Sequence, residues 1–276
     1  MKKMIGIMMT VVLALTVLSG CGAGRQQTAG LSGSVSTNGS TSMDKVIGIL
    51  SEQFMNDNPD VTVTYDATGS GTGIEAVANG TCDIGLASRP LKEEETAKGL
   101  SQTTVALDGI AIIVNENCPV EDLSVEQIAS VFTGKINDWK ELGGNGEIVC
   151  IGREAGSGTR DGFESMTNTT DKCVLKQELT STGAVITAVQ NNQNAIGYAS
   201  LAAAEGQDGI KILAVEGVPC SAENITNGSY VIQRPFNLIT KDGGTLSEAA
   251  QAFFDYVVSA EAAELITEAG AVPMAK

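Results

Sequence analysis

The stretch Gly152-Arg153-Glu154-Ala155-Gly156-Ser157-Gly158-Thr159-Arg160 holds the residue types that an oxyanion needs. It follows the apolar run Ile148-Val149-Cys150-Ile151 and precedes Asp161-Gly162-Phe163-Glu164, which reads as strand, glycine-rich turn and helix start. Small residues let a ligand approach the backbone, and the first N–H groups of a helix have no partner within it. Those groups and the helix dipole favour negative charge. Ser157, Gly158 and Thr159 would form that helix start, with hydroxyl donors on two of them, and Arg153 adds a planar cationic fork. The same stretch also reads as an ordinary strand-to-helix turn with capping residues. Two further stretches favour the site. Thr68-Gly69-Ser70-Gly71-Thr72-Gly73 repeats the Gly-Ser-Gly-Thr core between a strand-like and a helix-like run, and Asn38-Gly39-Ser40-Thr41-Ser42 precedes a helix-like run. Each match is weak alone; three such turns could converge on one anion.

Several chemistries are excluded. The 276 residues contain no histidine, which removes Ser-His-Asp and Cys-His catalysis, His-ligated metals and the usual general base. The net charge is −16, and export would remove Lys2 and Lys3 with no acid, leaving the chain more acidic still. Nucleic-acid binding needs a basic surface and is not expected. A field of this sign also repels small anions, so an oxyanion site must work through local, oriented donors. No Cys-x-x-Cys occurs, and no metal or cofactor is expected. With Cys21 set aside, Cys82, Cys118, Cys150, Cys173 and Cys220 remain, an odd number that leaves both free thiols and one or two bridges open.

The elements that would position these turns follow from periodicity. Residues 1–20 read as a targeting segment, with Lys2 and Lys3 before the apolar run Ile5 to Leu18. Leu18-Ser19-Gly20-Cys21 resembles a bacterial lipobox, which implies cleavage before Cys21 and lipid attachment there; a plain signal peptide or uncleaved anchor is the alternative. Residues 21–33 are the lipidated cysteine and a flexible tether. Met43, Val46, Ile47, Leu50 and Phe54 mark a helix over 41–56 with Ser40 or Thr41 as its cap. Strands are expected at 61–66 and 82–88, at 147–151, at 195–199 and at 210–215. Helices are expected after each glycine-rich turn, from the Ser124 capping box to Phe132, from a Thr180 or Ser181 cap through Gln190, and over 246–258 from a Thr245 cap. Thr104–Asn115, interrupted at Asp108-Gly109, and Ser229–Thr240 are long β-rich runs suited to crossing between domains. The expected class is α/β with two lobes: 31–110 plus 232–276, and 111–231. A ligand between them would lie at carboxyl ends of strands and at helix N-termini.

The lipobox, Gly39-Ser40-Thr41-Ser42, Gly69-Ser70-Gly71-Thr72-Gly73, Asp83-Ile84-Gly85-Leu86-Ala87-Ser88-Arg89 and Arg153-Glu154-Ala155-Gly156-Ser157-Gly158-Thr159 occur in that order. With Ala195-Ile196-Gly197-Tyr198, Glu223-Asn224-Ile225 and Arg234-Pro235, they resemble the PstS family, the phosphate-binding proteins of phosphate ABC importers, in its Gram-positive lipoprotein form. The resemblance implies a type II periplasmic-binding-protein fold, with two β crossings joining its lobes around the ligand cleft. It also implies a lipid-anchored monomer on the extracytoplasmic face that closes on inorganic phosphate and delivers it to membrane permease subunits. Carried over by motif, Ser40, Thr41 and Ser70 bind from one lobe, and Arg153, Ser157, Gly158 and Thr159 from the other. In the better-known branch the Asp83–Arg89 segment ends in an aspartate that accepts the proton of phosphate. Here it is one residue longer and ends Ser88-Arg89. Ser88, which can donate or accept, takes that place in the expected site. Arg89 either contacts phosphate or holds the loop by an ion pair. Asp83 and Asp161 are alternative acceptors with competing structural roles, and Arg160 is expected to be a solvated helix charge.

Three other functions stay open. A phosphate-ester hydrolase is one, although neither Ser70 nor Ser157 lies in Gly-x-Ser-x-Gly. A binding protein for sulfate, molybdate or tungstate is another, and a surface sensor or adhesin is the third.

Overall fold

The computed structural model of the chain describes residues 30–274. The expectations for the targeting segment and for Cys21 lie outside the described residues. Among the described residues no helix is long and apolar enough to cross a membrane.

The chain starts with β1 (Gly33–Gly39), α1 (Asp44–Asp57), β2 (Val61–Ala67), α2 (Ser70–Ala78), β3 (Ile84–Ala87) and the single turn α3 (Glu93–Thr96). β1 pairs in parallel with both β2 and β3, so the glycine-rich turns all leave the same end of these strands. The long strand β4 (Leu100–Asn115) follows, then the short β5 (Asp122–Leu123), α4 (Val125–Phe132), β6 (Val149–Arg153) and α5 (Gly158–Met166). Next come β7 (Gln177–Leu179), α6 (Thr182–Gln190), β8 (Ala195–Ser200), α7 (Leu201–Ala204), β9 (Ile210–Ile212), β10 (Ala214–Val215) and α8 (Ala222–Thr226). The chain returns through β11 (Gln233–Lys241) and ends with α9 (Glu248–Val257), α10 (Ala262–Glu268) and β12 (Val272–Pro273).

Strand order is β2-β1-β3-β11-β4-β8-β6-β7. β4 changes partner along its length: Leu100–Gly109 pair with β11, and Ile110–Val114 pair with β8. β6 lies parallel to β7 and β8. The expected break at Asp108-Gly109 is absent, because Asp108 is satisfied inside the strand. It sits opposite Arg234 in register, pairs with its Nη2 at 3.0 Å and accepts from Ser200 Oγ at 2.8 Å.

Apolar cores flank this crossing. One joins Val35, Ile47, Leu50 and Phe54 to Phe253 and Val257. Another joins Ile112, Phe132, Trp139, Phe163 and Tyr198, with Phe163 stacked on Tyr198 at 4.2 Å between ring centres. Two caps differ from expectation. Ser247, not Thr245, caps α9, and α1 starts after Met43 with no side-chain cap. The expected strand 210–215 is two strands separated at Leu213, whose N–H instead donates to Ile112 O.

Candidate oxyanion site

The first turn is set by backbone. Gly39 has φ +143 and lies against Leu86, where a side chain would strike the Leu86 carbonyl. Ser40 N donates to Leu86 O at 2.8 Å, and Tyr65 Oη donates to Ser40 O at 2.6 Å. Because neither Ser40 nor Thr41 caps α1, their hydroxyls face elsewhere. Ser40 Oγ donates to Ser88 Oγ at 2.8 Å, and Thr41 Oγ1 lies 3.1 Å from Thr182 Oγ1.

Ser70 opens α2 after Gly69 at φ +108. Its Oγ accepts from Ser88 N at 3.1 Å and lies 3.2 Å from Ser88 Oγ. The third turn comes from the other side of the molecule. Ser157 caps α5, its Oγ accepting from Arg160 N. Gly158 then presses so close that a Cβ there would collide with Ser70 Oγ and stand 2.7 Å from Ser88 Oγ. Thr159 Oγ1 lies 2.7 Å from Ser42 Oγ, and Gly71 N donates to Gly156 O at 3.0 Å. All eight expected residues therefore lie in one region: Ser40, Thr41, Ser70 and Ser88 from the β1–β3 side, and Arg153, Ser157, Gly158 and Thr159 from β6 and α5.

Arg153 ends β6 and is 2% exposed. Its Nε donates to Leu179 O at 3.0 Å, Nη2 to Thr180 O at 2.9 Å and Nη1 to Thr182 Oγ1 at 3.2 Å. These bonds fix the guanidinium plane and leave two of its five N–H groups unassigned. Burial pushes its pKa down to about 10, opposed by Tyr198 and helped by Arg234. Other buried guanidiniums nearby have carboxylates: Arg234 has Asp108, and Arg89 has Glu95 at 2.7 Å and Asp161 at 2.9 Å. Arg153 has no carboxylate ion pair among the described residues. A buried cation without a counter-ion is unfavourable, and an anion at its free N–H groups would relieve that.

These contacts bear on the open alternatives. Arg89 holds the loop by ion pairs. Asp83 accepts from Ser36 N and Oγ, both at 2.7 Å, and so ties β3 to β1. Arg160 is not solvated as expected: it pairs with Glu164 at 2.8 Å and Glu178 at 3.1 Å and donates to Arg153 O. Five cysteines, Cys82, Cys118, Cys150, Cys173 and Cys220, are free thiols.

Ser42, Thr182 and Arg234 were not among the expected site residues. Ser42 Oγ touches both Thr159 and Thr182, and Thr182, buried at the start of α6, meets Thr41, Ser42 and Arg153. The sequence signal was the hydroxyl run Thr180-Ser181-Thr182, read only for a cap; Ser181 is that cap. Arg234 Nη1 donates to Ser88 O at 3.2 Å and so fixes the loop that presents Ser88.

A family model described as PBP superfamily domain matches residues 24–261. The phosphate-binding protein PstS of Bacillus subtilis (strain 168) is 32% identical over 88% of this chain and 81% of its own length. The chain belongs to the PstS family. A Clostridium perfringens structure described as a phosphate ABC transporter substrate-binding protein, solved with bound phosphate, is similar at a TM-score of 0.84 and 38% identity. That similarity covers 88% of this chain and 100% of that one. An ABC-type phosphate transport receptor from Vibrio cholerae is similar at 0.71 and 31% identity, covering 87% of this chain and 100% of its own. The fold is thus the two-lobed periplasmic-binding-protein fold of the PstS family.

Proposed function

We propose that this chain captures inorganic phosphate between two lobes and delivers it to the permease of an ABC importer. The observation that carries this reading is Arg153, a buried guanidinium without a carboxylate, set among hydroxyls and helix N-termini from both sides of the cleft. The names and bound ligand of the PstS-family relatives support the same ligand. The lobes are 31–110 plus 232–276, and 111–231, with β4 and β11 as the crossings. Ser40, Thr41, Ser70 and Ser88 contact phosphate from the first lobe, and Arg153, Ser157, Gly158 and Thr159 from the second. Differential contact with the closed form is what lets the ligand drive closure. Cys21 carries the lipid, the protein works as a monomer at the extracytoplasmic face, and it turns nothing over. Ser70 Oγ and Ser157 Oγ accept backbone N–H groups and, among the described residues, have no base hydrogen-bonded to them.

One feature favours a second anion as competitor. Among the described residues, the groups hydrogen-bonded to Ser88 are hydroxyls, backbone and the Arg234 guanidinium, with no carboxylate to demand a proton from the ligand. Ser88 Oγ is then the acceptor for the phosphate proton. The test is calorimetric titration of the purified protein, unfolded and refolded to strip ligand, with phosphate and sulfate in parallel. Tight one-to-one phosphate binding with weaker sulfate binding is expected. Equal binding would retain the oxyanion site and reject phosphate selectivity. No heat from either would reject the site.

A further inference from the structure

Asp161 is an acid on the first turn of the helix whose N-terminus faces the anion site. A carboxylate there repels a bound anion, so its presence needs a reason. It contacts Arg89 Nε at 2.9 Å and Lys92 Nζ at 3.5 Å. Arg89 and Lys92 follow β3 in the first lobe, while Asp161 belongs to α5 in the second. Arg89 is held from its own side as well. Glu95 takes Nη1 and Nη2 at 2.7 Å each, and Asn237 Nδ2 donates to Arg89 O at 2.8 Å. The guanidinium is therefore already oriented within the first lobe, with Nε facing the second. The Nε–Asp161 contact is an ion pair whose alignment falls short of a hydrogen bond. It can form and break without disturbing the Arg89–Glu95 fork.

We propose that Arg89 and Asp161 form a latch between the lobes, with Asp161 a positioning residue that holds α5 over the anion and slows its release. The proposal rests on the two-lobe reading above. Glu95 keeps Arg89 extended in the open form, so closing orders few new side-chain torsions. The latch is also independent of the ligand's own contacts, since neither residue is among those placed on phosphate.

The sign of one substitution separates a latch from a simple charge. If Asp161 acts only as a negative charge near the site, Asp161→Asn tightens phosphate binding. If it is the latch, Asp161→Asn weakens binding about 3- to 10-fold, through faster dissociation with association unchanged, and Asp161→Glu restores most of the loss. A second readout needs no phosphate. Gly71 N–H donates to Gly156 O at 3.0 Å and Thr182 N–H to Thr41 Oγ1 at 3.2 Å, both between the lobes. Hydrogen exchange of the phosphate-free purified protein should speed up several-fold at Gly71 and Thr182 in Asp161→Asn. Exchange at Ile113, inside the β4–β8 pairing, should stay unchanged as the check on folding. Unchanged exchange at Gly71 and Thr182, or tighter phosphate binding, overturns the latch. Failure of the native protein to bind phosphate rejects the proposed function instead, and the exchange result still decides the latch.

Discussion

Arg153 keeps a charge where burial opposes it, and its three protein bonds all go to uncharged acceptors. That combination fixes an orientation without neutralising the cation, which suits a ligand that brings its own negative charge. Lysine would keep the charge but could not hold the Leu179 and Thr180 carbonyls and the ligand in one plane. Arg153→Lys is expected to weaken phosphate binding at least about tenfold, roughly 1.4 kcal/mol, by calorimetry. A change under twofold would mean that the fork is not used. Thr182 shows the limit of residue-level reading. Its hydroxyl meets Thr41, Ser42 and Arg153 only because α6 starts beside both the first turn and the end of β6.

At the scale of elements, the site is an arrangement of turns where strands end and helices begin. The turns after β1 and β2 lie against Ser88, which follows β3, and the turn after β6 closes onto them. Gly158 is the point of closest approach, and it is the first residue of α5, not a residue forced into left-handed backbone. Alanine there suits the helix backbone, but its methyl group would collide with Ser70 Oγ and crowd Ser88 Oγ where the two turns meet. Gly158→Ala is therefore expected to lower phosphate affinity about 100-fold or more, by calorimetry, with the collision offsetting any gain in thermal unfolding from the helix. Loss of stability with affinity intact would assign the glycine to folding. At the start of α1, Ser40 Oγ accepts from Ser42 N at 3.3 Å and donates to Ser88 Oγ at 2.8 Å, so its proton is directed at the site.

For the whole molecule, strong net acidity and an anion site coexist because the donors are local and buried while the acids are largely solvated. The exceptions are paired, and Glu95 is one. Burial alone would raise its carboxyl, but hydrogen bonds from Arg89 and the Lys92 N–H, with the charges of both residues, outweigh this and hold it below the usual glutamate value. A depressed folded pKa adds stability that is complete above the unfolded value and is lost as pH falls through the folded value. Glu95→Gln should therefore lower stability at neutral pH by about 3 kcal/mol, with Asp161 still facing Arg89. The gap from the native protein should close below the ordinary glutamate range. Denaturant unfolding across pH measures this, and a gap that persists in acid would remove the ion pair as its cause. The thiols make a separate whole-molecule prediction. Burial pushes Cys82 and Cys173 up to about 11, and Cys150 and Cys220 up to about 12. At neutral pH these four should react slowly with a disulfide reagent in the folded protein and rapidly after unfolding. Rapid labelling of Cys150 or Cys220 in the folded state would show that its burial is not maintained.

Resemblance to the family put Ser88 in the expected site, whereas the sequence alone determined the α/β class and the order of the glycine-rich turns. These depend on local rules: period, small residues at a tight turn, hydroxyls and an arginine beside a helix start. It determined the Ser124 cap for the same reason and left the α6 cap between Thr180 and Ser181, of which Ser181 is the cap. Tertiary structure decided which hydroxyls cap a helix, since Ser40 and Ser157 look alike in sequence and differ only in what packs beside them. It decided that Asp108 could stay inside a strand, because its partner Arg234 lies 126 positions away. It also decided the contacts of Arg89, Asp161 and Thr182. Their partners come from the opposite side of the cleft or from distant elements, and contacts between segments so far apart in the chain leave no periodicity to read.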